Sequence, residues 1–230
     1  MPRGLNHAGA AVANGKVYVF GGYEENGRPS NAAFEYDAIA DAWRAVSPLP
    51  SPRGSPGVAT LDGKIYVVGG ITNRNTAATD IYDPLTDSWQ QGGDLNVARD
   101  HFVLVALNGR LLAIGGRIGN FARNVDAVEI YDPSAGTWSF GPSMPAPRSG
   151  FAGAVLGGRV LVFGGEEPTQ THPDVFVYDS ASQSWSTDAP MGSARHGLGA
   201  AVFNGTIYAL GGGLNPGGGS DTDITEIYTP

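Results

Sequence analysis

Cysteine is absent from the 230-residue sequence. Its absence excludes disulfide bonds, thiolate metal sites and cysteine nucleophiles. Long apolar runs are also missing, because no stretch approaches the roughly 18 residues that a membrane-spanning helix requires. The first ten residues, MPRGLNHAGA, lack the charged and apolar regions of a secretory signal. These absences leave the compartment unknown: the protein is either cytoplasmic or has lost a targeting segment.

Lysine is scarce, and the formal net charge is −8 at pH 7. Only two of the 14 basic residues are lysines, Lys16 and Lys64. A surface that follows a phosphate backbone needs many cations, so nucleic acid is not expected as a partner, and neither is a membrane. The apolar fraction of 41% is enough for a substantial core, and the 35 glycines indicate many turns.

The most prominent feature of the sequence is a repeated motif, a short apolar strand followed by two glycines. The five copies are VYVFGG, IYVVGG, LLAIGG, VLVFGG and IYALGG. Their glycine pairs begin at residues 21, 69, 115, 164 and 211, so the steps between them are 48, 46, 49 and 47 residues. Other residues keep the same step: Tyr36, Tyr82, Tyr131, Tyr178 and Tyr228; Trp43, Trp89, Trp138 and Trp185; Arg53, Arg99, Arg148 and Arg195. A period of this length indicates a repeat architecture.

Each period predicts four antiparallel strands, which we name A to D. Strand A is rich in small residues, as in GAAV from Gly9. Strand B is the apolar part of the repeated motif and ends at the glycine pair. Asn-Gly, Asp-Gly or Gly-Gly joins these two strands, and such pairs indicate a tight hairpin because both positions need positive φ. Strand C closes at the repeated tyrosine, and strand D carries the tryptophan. No stretch shows helical periodicity.

A four-stranded unit of about 47 residues cannot bury both of its faces alone. Packing several copies face to face around an axis buries them, which predicts a β-propeller. The order of landmarks also resembles the kelch repeat: paired glycines after an apolar strand, then Tyr-Asp, then Trp, then an Arg that leads into the next strand A. The resemblance spans nearly the whole chain and implies a propeller that most often serves as a binding platform.

The expected fold is all-β, a propeller of about five kelch-type four-stranded blades in a single domain over residues 1–230. The repeats span approximately 5–49, 50–96, 97–145, 146–192 and 193–230. The last period stops at ITEIYTP, after strand C, so its blade is expected to lack the outer strand and to expose an edge. Two interpretations follow: a five-bladed ring whose last blade has three strands, or part of a larger propeller. The exposed edge also allows a homo-oligomer.

The connections from B to C and from D to A share one face of the predicted propeller, where the loops are longer and differ between repeats. The candidate ligand-binding residues on this face are Arg74, Arg117 and Arg123 in B–C loops, Arg99, Arg148 and Arg195 at the starts of strand A, and His101 and His196 beside them. Arginines around a mouth suit carboxylates, phosphates or acidic peptides through forked hydrogen bonds. For the repeated arginines the alternative is a structural role, because repetition favours contacts within a blade.

The catalytic precedents that the resemblance implies find little support in the residues. Copper oxidases that resemble galactose oxidase need a cysteine cross-linked to tyrosine, and this chain has no cysteine. Iron-dependent specifier proteins carry Glu, Asp and His at four-residue spacing, which the loop EEPTQTHPD does not reproduce. We therefore expect a non-enzymatic module, without cofactor or metal, that binds a protein, an acidic peptide or a carbohydrate. The alternatives are a sugar-processing enzyme similar to the sialic-acid mutarotase kelch proteins, or a propeller fragment that self-assembles through its unfinished blade.

Overall fold

Every regular element in the described part of the chain is a β-strand. The computed structural model describes residues 1–120 and 122–229, and no helix in them is long and apolar enough to cross a membrane. The strands are β1 (Gly9–Ala13), β2 (Lys16–Phe20), β3 (Ala33–Asp37), β4 (Ala42–Ala45), β5 (Gly57–Leu61), β6 (Lys64–Val68), β7 (Thr79–Asp83), β8 (Ser88–Gln91), β9 (Val103–Leu107), β10 (Arg110–Ile114), β11 (Val128–Asp132), β12 (Thr137–Phe140), β13 (Ala152–Leu156), β14 (Arg159–Phe163), β15 (Glu166–Glu167), β16 (Gln170–Thr171), β17 (Val175–Asp179), β18 (Ser184–Asp188), β19 (Gly199–Phe203), β20 (Thr206–Leu210) and β21 (Thr225–Tyr228).

These strands form four antiparallel sheets of four strands and one of three, each in chain order. The first sheet contains β1 to β4, the second β5 to β8, the third β9 to β12, the fourth β13, β14, β17 and β18, and the fifth β19 to β21. Strands β15 and β16 form a separate short hairpin between β14 and β17. This arrangement confirms the predicted all-β propeller of five blades, the last of which lacks its outer strand.

The chain groups into two compact units. The first contains Met1–Asp100, Gly109–Leu111 and Tyr131–Ser139, and the second contains His101–Asn108, Leu112–Ile130 and Phe140–Pro230. The third sheet therefore contributes strands to both units. The prediction of a single domain over residues 1–230 stays a prediction.

Local sequence explains where the strands turn. Asn14 and Gly15 join β1 to β2 with φ values of 50° and 73°, as the predicted tight hairpin requires. The glycine pair that ends strand B is needed for close approach of two chain segments. A Cβ atom on Gly22, where φ is 93°, would lie 2.7 Å from the carbonyl oxygen of Asn6.

The core of the first unit lies between the first and second sheets. Six fully buried side chains fill it: Tyr18, Phe20, Leu49, Ile65, Val67 and Tyr82. The rings of Phe20 and Tyr82 are 5.5 Å apart in an edge-to-face arrangement, which is favourable for aromatic pairs. Alternate residues of strand B thus point toward the neighbouring sheet, as the period of a β-strand requires.

The second unit has two cores, one on each face of the fourth sheet. Val160 and Val162 of β14 enter the core shared with strands of the third sheet. Leu161 and Phe163 of the same strand enter the core shared with the fifth sheet. Because successive side chains of a strand point to opposite faces, an unbroken apolar strand B indicates a sheet that is covered on both sides.

The repeated tryptophans bond the chain that leaves the preceding sheet. The indole N–H of Trp89 donates to the carbonyl oxygen of Ser47 at 3.0 Å. In the second unit, the indole N–H of Trp185 donates to the carbonyl oxygen of Pro142 at 2.9 Å. A large ring with one polar group suits this position, because the ring fills the wide outer part of the blade while the N–H finds an acceptor.

Candidate functional site

Isolated β-bridges join the B–C loops to the connections that enter strand A. In the second unit, Ser149 pairs with Glu166 and His196 pairs with Gly213. The second member of each pair directly follows the repeated glycines, at a position occupied in the five repeats by Tyr23, Ile71, Arg117, Glu166 and Gly213. Since bridge partners lie side by side on the same face, the residue at this position decides which chemistry each blade presents there.

The repeated arginines lie inside the blades. All four of them are at most 6% exposed: Arg53, Arg99, Arg148 and Arg195. Arg195 donates to the carbonyl oxygens of Gly211 and Ile224 at 2.7 and 2.8 Å. It also pairs with the Glu226 carboxylate at 3.0 Å. These bonds tie the end of strand B to strand C within one blade.

Arg148 and Arg53 make contacts of the same kind. The guanidinium of Arg148 donates to the Asp174 carboxylate at 2.7 Å and lies 4.9 Å from the centre of the Phe176 ring. Arg53 pairs with the carboxylate of Asp80. Burial lowers the pKa of Arg53 and raises the pKa of Asp80, while the charge of each partner acts in the opposite direction.

These contacts favour the structural alternative for Arg53, Arg148 and Arg195, because their guanidinium groups donate within the blade. The assignment of Arg99, Arg148 and Arg195 to ligand binding stays a prediction. By contrast, Arg74 in the first unit and Arg123 in the second are exposed loop residues. No hydrogen bond or ion pair of either guanidinium is seen with the residues that the structure describes.

A polar cluster surrounds the bridge of the fourth blade. We define it as His101, Arg117, Asn124, Ser149, Glu166 and His196. The carboxylate of Glu166, which is 3% exposed, accepts a hydrogen bond from the backbone N–H of Gly217 at 2.7 Å. It lies 3.5 Å from a terminal nitrogen of Arg117 and 3.5 Å from Nδ1 of His196. The cluster is therefore built around a buried carboxylate with cationic and imidazole neighbours.

Arg117 also contacts the first histidine of the polar cluster. Its guanidinium lies 3.0 Å from Nε2 of His101. Arginine carries only donors, so Nε2 of His101 is the acceptor of this contact. Arg117 thus contacts both His101 and the Glu166 carboxylate.

Hydrogen-bonding capacity remains in the polar cluster. Asn124 donates through Nδ2 to the backbone carbonyl of Glu166 at 2.6 Å. Within this cluster, three buried polar atoms have no partner among the described residues: Oδ1 of Asn124, Oγ of Ser149 and Nε2 of His196. Buried polar atoms cost free energy unless they are bonded, so these atoms are the positions from which a polar ligand would be held.

Of the predicted site residues, the structure brings Arg117, His101 and His196 together in the polar cluster. Sequence reasoning did not identify Glu166 as its centre. A signal for it exists in the sequence, because the position after each glycine pair carries a different residue type in every repeat. The other members, Asn124 and Ser149, are small polar loop residues that give no comparable signal.

The loop EEPTQTHPD forms the β15–β16 hairpin. His172 lies 3.8 Å from the carboxylate of Glu167 and 3.7 Å from that of Asp174. Burial and the nearby Arg148 charge lower the pKa of His172, against the opposing effect of the Glu167 and Asp174 carboxylates. Across residues 1–120 and 122–229, no group of three or more side chains is arranged to hold a metal ion.

The kelch motif family matches residues 4–50, 52–96, 98–145 and 147–192, which together make up most of the chain. The chain belongs to the kelch-motif family. The resemblance predicted from the glycine pairs, tyrosines and tryptophans is thereby confirmed. The fifth blade lies outside these matches, in agreement with its missing Trp and strand D.

The chain is similar to parts of longer kelch proteins. Kelch repeat and BTB domain-containing protein 1 of cowpox virus (strain Brighton Red) is 35% identical over 92 residues, which is 39% of this chain and 16% of that protein. Kelch-like protein 9 of Mus musculus is 40% identical over 88 residues, 36% of this chain and 14% of that protein. Beta-scruin of Limulus polyphemus is 31% identical over 119 residues, 48% of this chain and 13% of that protein. The matched stretch is less than a fifth of each relative's length.

The solved structure of YjhT has the same fold. It aligns with a TM-score of 0.82 at 22% identity, over 92% of this chain and 73% of the YjhT chain. Likeness at this level of identity describes the fold alone, because one fold supports many functions.

Proposed function

We propose that the chain is a non-enzymatic recognition module that binds an acidic segment of a partner protein on its loop face. Membership of the kelch family is consistent with a protein-interaction scaffold. The observation that carries the finer proposal is the division among the arginines. The repeated ones are buried, whereas Arg74 and Arg123 stand exposed on loops that differ between repeats.

The chemistry of an exposed arginine fits this partner. A guanidinium presents a planar fork of donors that matches a carboxylate, and a rigid scaffold reduces the ordering cost of binding. The whole chain carries a net charge of −8, so a partner rich in carboxylates is attracted mainly where exposed cations such as these are concentrated. Recognition should therefore weaken as salt concentration rises.

The test uses the full chain and a fluorescein-labelled peptide of alternating Glu and Asp, with fluorescence polarisation as the readout. Arg123→Glu and Arg74→Glu are measured separately, and Arg110→Glu is the matched control because Arg110 is 55% exposed beside an A–B turn. We expect each loop variant to weaken binding at least tenfold at an unchanged unfolding temperature, and the control to bind normally. If both loop variants bind the peptide as tightly as the wild type, the assignment of Arg74 and Arg123 to the binding site is wrong.

Arg117→Glu is a different kind of probe. It would place a second carboxylate beside the buried Glu166, so loss of binding would be accompanied by loss of stability. Arg117 therefore informs on the polar cluster, whereas Arg123 informs on the exposed loop surface.

The polar cluster supports a second candidate, a carbohydrate. A polyhydroxylated ligand offers both donors and acceptors, which the buried atoms of Ser149 and His196 and the carboxylate of Glu166 would match. The test is saturation-transfer NMR with a panel of hexoses and sialic acid, comparing wild type with Ser149→Ala. Saturation transfer that Ser149→Ala abolishes supports the candidate, and its absence from wild type removes it. Anomer-exchange NMR on the same sugars tests the enzymatic alternative. If the protein does not accelerate exchange over buffer, this alternative is ruled out.

A further inference from the structure

The fifth sheet has two faces with different surroundings. One face carries Ile207 and Ala209 of β20, which are buried in the core shared with the fourth sheet. The other face is uncovered: Phe203 and Ile227 are each 64% exposed, and Leu210 is 43% exposed. We call it the open face of the fifth sheet, and the register assigns to it Gly199, Ala201, Phe203, Thr206, Tyr208, Leu210, Thr225 and Ile227.

The fourth sheet shows what covers a face of this kind. By register, Ile227 corresponds to Val177 in the middle of strand C of the fourth sheet. Val177 is only 4% exposed, because the fifth sheet packs over it and places Ile207 in the same core. The fitting occupant of an open face is therefore the opposing apolar face of another kelch sheet, made of alternate strand-B residues and the repeated aromatic pair.

The first sheet presents such an opposing face. We call it the covering face of the first sheet, and it contains Val12, Val17, Val19, Phe34, Tyr36 and Trp43. Val12 is 61% exposed, and Val17 and Tyr36 are only partly buried, whereas Phe34 is 6% exposed. Their counterparts by register in the fourth sheet, Val160 and Tyr178, are at most 3% exposed. The core of the first unit uses the other face of this sheet, through Tyr18 and Phe20.

Charge does not oppose contact between the two faces. All the residues that the register places on them lie in the described part of the chain, and none is ionisable at neutral pH. Burying them removes apolar surface from water without the desolvation of a charge. An exposed apolar surface of this kind on a folded chain marks an interaction site.

We propose that the open face of the fifth sheet binds the covering face of the first sheet in a second copy of the chain. The contact is head-to-tail because the two surfaces are different. Successive copies therefore assemble either into a closed ring or into an open chain of subunits. Association through the free edge of the last blade was the expectation from sequence. The exposed apolar residues lie on the open face of the sheet that β21 borders. We therefore expect this face, rather than the free edge, to supply the affinity.

The test measures the mass of the full chain by size-exclusion chromatography with light scattering and by sedimentation velocity over a concentration series. The monomer mass is 23.8 kDa, and we expect the measured mass to rise above it with protein concentration. Higher salt should favour association, since it screens repulsion between copies of net charge −8. A mass of 23.8 kDa at every concentration would overturn the proposal.

Two variants block one face each. Phe203→Glu blocks the open face and leaves the covering face intact, whereas Val12→Glu does the reverse. Each alone should remain a monomer, and their equimolar mixture should form a dimer of twice 23.8 kDa, or 47.6 kDa, because one intact pair of faces remains. Ile39→Glu and Leu85→Glu are matched controls, because both residues are highly exposed in C–D turns outside the two faces.

The mixture separates head-to-tail contact from other assemblies. If Val12→Glu associates as the wild type does, the first sheet is not the partner surface and the proposal is wrong. A mixture that stays monomeric contradicts it as well. Circular dichroism melts verify that each variant is folded, and Ile227→Glu replaces Phe203→Glu if that variant melts early. The proposal is independent of ligand binding at the loops, since Arg123→Glu should leave the oligomeric mass unchanged.

Discussion

Removal of the Arg195 side chain is the most direct test of how these blades are held together. Arg195 is 0% exposed and bonds two carbonyl oxygens and the Glu226 carboxylate, at 2.7 to 3.0 Å. In Arg195→Ala the two carbonyls lose a cationic donor and the carboxylate loses its counter-ion. Breaking a buried pair by removing one partner costs about 3–5 kcal/mol. Glu226 is still 25% exposed and can be rehydrated, so we expect the lower end, about 3 kcal/mol.

The assay is urea unfolding followed by tryptophan fluorescence, with thermal melts in parallel. A loss of about 3 kcal/mol corresponds to a fall of roughly 6–12 °C in the unfolding temperature for a domain of this size. Arg195→Lys should recover only part of the loss, because an ammonium group cannot reproduce the planar fork. Arg110→Ala is the control, since its pair with Asp132 is exposed and worth about 0–1 kcal/mol.

The same variant separates the structural role from the ligand-binding prediction. If Arg195→Ala unfolds within about 0.5 kcal/mol of wild type, the bonds seen here contribute nothing measurable and the structural interpretation is refuted. If it also loses the acidic peptide at unchanged stability, the ligand-binding prediction for Arg195 gains support. The expected result is the reverse, a less stable protein that still binds.

Two further predictions concern acid stability and the tryptophan contacts. Hydrogen bonds from Arg44, Lys16 and Tyr18 lower the pKa of Glu35 from 4.5 to about 2, so its stabilisation is present above pH 4.5 and lost as pH falls toward 2. Glu35→Gln should therefore flatten the fall in unfolding free energy between pH 4.5 and 2 in urea titrations, and an equally steep fall would contradict this. Trp138→Phe removes bonds to Thr79 Oγ1 and the Gly93 carbonyl, at 3.1 and 3.0 Å, and should cost about 1–3 kcal/mol in thermal melts. The exposed Leu85→Ala should cost nothing, and equal stability of the two variants would count against the bond.

Much of the fold could be predicted because its signals are local and repeated. The pair Asn14-Gly15 specifies a tight turn through backbone geometry alone, with φ positive at both positions. An apolar strand B with no polar alternation, such as residues 160–163, predicts a sheet covered on both faces, which the two cores of the second unit confirm. Five repetitions of one signal make the inference firm where a single copy would be ambiguous.

The candidate site was only partly predictable, because its chemistry depends on distant pairs. Arg117 and Glu166 are 49 residues apart and belong to different repeats, so no local pattern links them. His101 and His196 were identified as residues near the mouth, but their common neighbour Glu166 was not. Burial also decides what an arginine does: Arg195 is buried and makes internal bonds, whereas Arg123 is an exposed cation.

The sequence by itself determined the period, the strands, the hairpin turns and the family, because these depend on side-chain alternation and on which residues accept positive φ. Only the tertiary structure decided which arginines are used internally, where the polar cluster forms, and which sheet faces are left uncovered. Those properties depend on which atoms meet across repeats. A repeated sequence offers the same side chain to several environments, and packing alone selects between a buried hydrogen bond and a surface open to a partner.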